Sequence, residues 1–255
     1  MRLIDTHCHL EEIENLETAI DRAKSVGVIA IIAVGSDYQS NNQILEIAEK
    51  YAGFVYPALG IHPARIEASQ VNQVLKFIED HLAEAKGIGE VGLDYHKRVI
   101  QIAPKELQKS VLSEVLAMAR KHKKPAIIHN RYAWKDSLAL AEEAEVEKAV
   151  FHWYTGPSSI LKELVSHDYF ISATPAAEYH PEHKRAIKAA SLENLLLETD
   201  SPVDYGLELK WTAEPADILR TLRATAEARG ISEQELARIT TTNAIKFFDL
   251  PIKIG

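Results

Sequence analysis

Seven side chains able to bind a divalent cation recur at one kind of position in this chain. His7, His9, His62, Glu90, His129, His152 and Asp200 each stand at or just past the C-terminal end of a short apolar run. Imidazole nitrogens and carboxylate oxygens suit zinc, manganese, iron or magnesium in varying proportion. In D-T-H-C-H the two-residue period of a strand puts Asp5, His7 and His9 on one face, so two imidazoles can share a cation. Asp5 is then placed to accept the second ring N–H of a ligating histidine. A hydrogen-bonded pair of core histidines has the same spacing. Glu90 lies inside an apolar strand, where an unpaired carboxylate is costly enough to demand a cation or an ionic partner. It reads as a ligand bridging two metals or as half of an internal salt bridge, with Asp94 a weaker candidate behind it.

Arg131, two residues past His129, suits bidentate contact with phosphate or carboxylate oxygens, or a structural ion pair. Trp153 and Tyr154 follow His152 and can stack on a substrate base or wall a pocket. Glu198 and Asp200, spaced by two, offer one orienting partner and one ligand. Asp200, nearer the strand end, can also take a proton from attacking water as a general base, although a turn aspartate before Pro202 reads alike locally. Four histidines and two carboxylates fit two cations better than one. A bridging glutamate can hold them about 4 Å apart and bring a bridging water to a pKa near neutrality, making hydroxide the expected nucleophile.

The elements that must position these groups are legible as eight apolar runs, at 2–8, 28–34, 54–61, 87–92, 125–129, 148–152, 169–173 and 194–198. Amphipathic stretches such as 42–51, 71–84, 107–122 and 217–229 separate them, and a last helix is expected from Ser232, with Glu235 completing a capping box. Strands alternating with helices predict parallel strands and an α/β fold, a (β/α)₈ TIM barrel in one domain over residues 1–255. Barrel active sites form at the C-terminal strand ends, where the candidate ligands converge. The remaining histidines, His81, His96, His122, His167, His180 and His183, are expected in loops or on polar helix faces, in contact with solvent.

With 37 acidic against 29 basic residues the formal charge is −8, so no general attraction for polyanions exists and phosphate binding has to be local. The only cysteine, Cys8, excludes an intramolecular disulfide and a thiolate-rich zinc site, and fits the cytoplasm. Charged and ligand-type residues stand where a secretory signal needs an apolar core. The longest uncharged apolar run, 26–34, is far shorter than the roughly 20 residues of a membrane-spanning helix.

The blocks D-T-H-C-H-L, G-I-H-P, E-V-G-L-D, H-N-R, H-W-Y-T-G and E-T-D-S-P, in this order, resemble the signatures of the TatD family, over residues 3–202 and on to T-T-N-A-I-K-F-F. The resemblance implies a metal-dependent hydrolase with a TIM-barrel fold, some members being 3′ to 5′ deoxyribonucleases. Carried over by position, it implies metal ligation by His7, His9, Glu90, His129, His152 and Asp200, with Glu90 bridging and His62 and Arg131 on substrate phosphate. Tyr154 stands where phenylalanine is usual. After E-T-D-S-P, Glu214 and Pro215 persist but the usual arginine and asparagine are absent, which points away from long DNA. The expected activity is therefore phosphodiester hydrolysis of DNA ends or short oligonucleotides, with two divalent ions (zinc, manganese or magnesium), Asp200 and Glu90 acting in the chemistry, and no membrane or obligate protein partner. A hydrolase of an amide, lactone or aminoacyl ester, or a non-catalytic binding barrel, are the alternatives.

Overall fold

Apolar runs buried on both faces need helices above and below them, and parallel strands joined by crossover helices provide that cover. The structure is a computed structural model, and it describes residues 1–253. Eight strands follow one another around a barrel: β1 (Leu3–Cys8), β2 (Val28–Val34), β3 (Val55–Ile61), β4 (Gly87–Asp94), β5 (Ala126–Arg131), β6 (Ala149–Phe151), β7 (Phe170–Ala173) and β8 (Leu195–Leu197). Each pairs in parallel with the next. The covering helices are α1 (Leu16–Ser25), α2 (Tyr38–Lys50), α3 (Val71–His81), α4 (Lys97–Ile102), α5 (Lys105–His122), α6 (Trp134–Glu143), α7 (Ser158–Ser166), α8 (Pro181–Ala189), α9 (Ile218–Arg229) and α10 (Glu233–Phe247). A small antiparallel hairpin, β9 (Asp204–Tyr205) with β10 (Trp211–Thr212), stands between β8 and α9. Among the described residues no helix is long and apolar enough to cross a membrane.

Most boundaries fall within two residues of those expected; α3 ends at His81 rather than 84, and α2 differs at its start. Helix α2 starts at Tyr38 rather than 42 because Asp37 caps it, accepting from Ser40 N at 2.8 Å while Ser40 Oγ accepts from Asp37 N at 2.9 Å. Strands β4 and β5 each run two residues further than expected, pairing Leu93 with Asn130 and Asp94 with Arg131. Asp94 and Arg131 are thus fixed on neighbouring strands. At α10, Ser232 Oγ accepts from Glu235 N at 3.1 Å, the half of the expected capping box that forms.

The barrel closes between β8 and β1 through side chains. Because β8 stops at Leu197, the N–H of Thr199 lacks a strand partner, and the Asp5 carboxylate accepts it at 2.9 Å. Thr6 Oγ1 donates to Leu197 O at 3.0 Å on the same seam. Burial pushes the Asp5 carboxyl up to about 8 against the lowering effect of its Thr199 and His7 hydrogen bonds. Asp5 therefore does not accept a ligand's ring N–H, as its spacing had suggested; the unpaired seam claims it. Backbone pairing resumes beyond, with Asp200 N on His7 O at 2.9 Å and His9 N on Ser201 O at 2.8 Å.

The opposite end is closed by α10. Ile4, Ile32, Tyr56, Ile127 and Leu196 cluster with Phe247, Phe248 and Leu250. Lys86 and Lys148, each just before a strand, donate to Asp249 O at 2.9 Å and Phe247 O at 3.2 Å. Phe248→Ala is expected to destabilise the chain by about 3–5 kcal/mol, measured by denaturant unfolding, while cation content stays unchanged because the ring sits at the strand starts. Loss of bound cation at full stability would contradict this division between the two ends.

Candidate metal centre

Glu90 is 2% exposed and occupies the middle of the barrel mouth. Its neighbours on β3 leave it space: a Cβ on Gly60 would lie 2.4 Å from the Glu90 backbone nitrogen, so the close approach of the two strands requires glycine. Glu90 N donates to Gly35 O at 3.0 Å, which anchors its backbone to the end of β2. The two carboxylate oxygens face different histidines. Oε2 lies 3.4 Å from His7 Nε2 and 3.3 Å from His9 Nε2. Oε1 lies 2.8 Å from His129 Nδ1 and 2.8 Å from His152 Nε2. Asp200 Oδ1 completes the first group, 3.4 Å from His7 Nε2 and 3.6 Å from His9 Nε2.

Electrostatics follow from this crowding. Burial alone would raise Glu90, but the imidazoles of His62, His152 and His7 and the His129 hydrogen bond hold it well below the ordinary carboxylate range. Burial opposes charge on His9, yet Asp200 and Glu90 outweigh it and keep the ring well above its usual value. His152 is held up likewise by Glu90 and Glu198 against the cost of its burial.

Carboxylates behind the rings set which nitrogen faces inward. Asp94 Oδ2 is 3.3 Å from His129 Nε2, leaving Nδ1 toward Glu90. Glu198 Oε1 is 3.3 Å from His152 Nδ1, leaving Nε2 inward. His62 differs: its Nδ1 accepts from Ala64 N at 3.1 Å, so the neutral ring carries its proton on Nε2, which points to Glu90 Oε1 at 3.6 Å. Burial lowers His62 to about 3, so the ring is neutral at pH 7 and offers a donor to the site. Backbone outliers also stand at the mouth, two of them at or next to candidate ligands. Asp200 (φ 51°) and Trp153 (φ 42°) lie in the left-handed region, at a cost of order 1–3 kcal/mol each. Trp153 N is held by Ser172 Oγ at 3.0 Å and Glu198 Oε1 at 3.2 Å.

The arrangement fits divalent cations on its own evidence. Both ring nitrogens of His7 are buried without a hydrogen-bond partner, a deficit that ligation by one of them removes. His7, His9 and Asp200 form one group and His62, Glu90 and His129 another, with ligand atoms in each within 4.8 Å of one another. A third such group joins His7, His152 and Glu198. The tautomer of His62 argues for donor rather than ligand, and Glu198 already faces the outer nitrogen of His152.

A cavity of about 970 Å³ opens over these groups, with His62, Arg131 and Trp153 among its walls. Arg131 is about half exposed, with its guanidinium 4.0 Å from Asp94. All eight residues expected at the site thus meet at one mouth. Tyr154 is not among them; it is fully buried, with its hydroxyl donating to Pro157 O at 2.8 Å. His183 is also buried, contrary to the expectation of a solvated ring, with Nε2 accepting from Thr174 N at 3.0 Å and Nδ1 on Tyr154 O at 2.9 Å. Burial lowers it to about 4. Its spacing with Ala186 and Ile187, three and four residues on, marks the inner face of α8. Asn130, between His129 and Arg131, has no sequence signal of its own: its Nδ2 donates to Ile128 O and His152 O, both at 3.2 Å, and ties β5 to the residue after β6.

Residues 4–249 match the TatD-related DNase family. The chain belongs to that family. Among relatives of this TatD-family chain, human deoxyribonuclease TATDN3 is 32% identical over 259 residues, covering 96% of this chain and 94% of that protein. The Bacillus subtilis uncharacterized metal-dependent hydrolase YabD is 32% identical over 257 residues, covering 96% and 98%. The crystal structure of YJJV, a TatD homolog from Escherichia coli K12, superposes with a TM-score of 0.88 at 26% identity, covering 98% of this chain and 99% of that one. The outer-partner geometry of this TatD-family site makes one prediction. Glu198→Gln should weaken cation affinity by about 10–100-fold, read by competition with a fluorescent chelator, and unchanged affinity would remove Glu198 from the site.

Proposed function

We propose that the chain is a metal-dependent deoxyribonuclease that hydrolyses phosphodiester bonds at DNA ends or in short oligonucleotides, in the 3′ to 5′ direction. The whole chain acts as one hydrolase domain. The observation that carries the reading is the division of Glu90 between two sets of imidazoles, Oε2 toward His7 and His9 and Oε1 toward His129 and His152. That division supports two cation positions sharing one carboxylate, with Asp200 on the first. Histidine and carboxylate donors admit zinc, manganese or magnesium. What the cations contribute when bound is an acidified water and positive charge beside the phosphoryl oxygens.

The chain's own residues supply the rest. Asp200 keeps its carboxylate ionised despite burial, through the hydrogen bond to His9 and the neighbouring imidazoles, and so can accept the proton of the attacking water. His62 presents Nε2–H to a phosphoryl oxygen, and Arg131 at the rim takes up negative charge on the same group. The deoxyribonuclease name of the human relative supports the phosphodiester, and the buried free thiol of Cys8 suits a reducing cytoplasm.

Elemental analysis of protein prepared without chelator is expected to give about two cation equivalents, with Glu90→Ala losing both and Asp200→Ala losing at least one. The same samples should release the label as mononucleotide from 3′-labelled single-stranded DNA in Mg²⁺ or Mn²⁺ only when wild type is used, which also removes contaminating nuclease as an explanation. Full occupancy with cleavage of a carboxylic ester and not of DNA would move the substrate to carbonyl chemistry. Separately, Arg131→Ala should lower kcat/KM on DNA by about 10–100-fold, from the loss of a charge-assisted phosphate contact, while cation content stays at the wild-type level. A parallel fall in bound cation would place Arg131 in the metal site instead.

A further inference from the structure

We infer that Tyr132 is the stacking platform for the nucleobase next to the phosphate being cleaved, so that this residue gives the site its preference for nucleotides over other phosphodiesters. The inference rests on the deoxyribonuclease reading of the same cavity. Tyr132 directly follows Arg131 at the end of β5. Its φ of 58° lies in the left-handed region, which glycine adopts freely and a residue with a bulky side chain adopts at a cost. The turn itself therefore does not call for tyrosine. The ring is 58% exposed, and of the large hydrophobic side chains exposed among the described residues it alone lines the cavity.

The neighbours of the ring contact it and still leave more than half of the residue exposed. Trp134 meets it edge-on, with centroids 6.0 Å apart at 77°, and His96 lies near-parallel at 6.4 Å. The Arg131 guanidinium carbon is 5.7 Å from the Tyr132 centroid. A cation suited to phosphate and a more than half-exposed aromatic side chain thus stand together in one cavity. The ligand chemistry matching that pair is a phosphate joined to a planar aromatic ring, which is a nucleotide. Stacking tolerates any base because each has a π face, and so it gives affinity without sequence preference.

The test uses the cation-loaded protein and three variants, Tyr132→Ala, Tyr132→Leu and Tyr132→Trp. On an oligonucleotide ending in thymidine, Ala and Leu are expected to lower kcat/KM by about 10–100-fold, the size of one base–aromatic stack, chiefly through KM, while Trp retains it. On the same oligonucleotide ending in 5,6-dihydrothymidine, whose ring is no longer planar, wild type should lose as much and Tyr132→Ala should lose nothing further. A phosphorothioate-linked oligonucleotide ending in 2-aminopurine should be quenched on binding wild type and Trp but not Ala. Full activity in Tyr132→Ala, or an equal loss on both substrates, would overturn the inference. If wild type cleaves no DNA, the deoxyribonuclease reading fails by itself. The 2-aminopurine signal then still decides whether Tyr132 stacks on a base.

Discussion

A buried carboxylate surrounded by imidazoles is the constraint on which this barrel mouth depends. Without positive charge beside it, Glu90 at 2% exposure would be among the most costly groups in the molecule. His9, His129 and His152 face its oxygens and bring that charge as protons, each held above its ordinary range by the carboxylates beside it. Cations and protons compete for the same lone pairs, so the geometry that stabilises the carboxylate is also one that suits a divalent cation.

Everything around Glu90 serves to bring donors from separate strands to one point. Parallel pairing of β1 to β8 in sequential order aligns their C-terminal ends, and the covering helices keep the strands rigid. Where regular pairing lapses, at the β8–β1 seam, side chains take over: Asp5 and Thr6 satisfy Thr199 and Leu197, and the ladder that resumes beyond them places Asp200 next to His7. The seam is thus part of the site, because His7, His9 and Asp200 all flank it.

The mouth also concentrates backbone strain, with Tyr132, Trp153 and Asp200 all at positive φ. Each stands within three residues of a candidate ligand or is one itself, and at Trp153 and Asp200 backbone hydrogen bonds hold the strained residue in place. At the closed end, where Phe247 and Phe248 pack on the strand starts, the positive φ of Asp249 (49°) lies beside no candidate ligand, and this end supplies stability rather than chemistry.

The sequence by itself determined the strands and helices, because the two-residue and 3.6-residue periods are local properties of the chain. It also placed candidate ligand types at the strand ends, which in a barrel share one mouth wherever the strands lie. Only the tertiary structure decided which group partners which. Asp5 went to Thr199 rather than to a ligating ring, since β8 is three residues long and leaves that N–H unpaired. His62 became a donor because the turn after β3 directs Ala64 N–H onto its Nδ1, and His183 was drawn inside by α8. Pairings of this kind join residues up to 194 positions apart, and their energies depend on burial and on competing partners. No window of sequence contains that information.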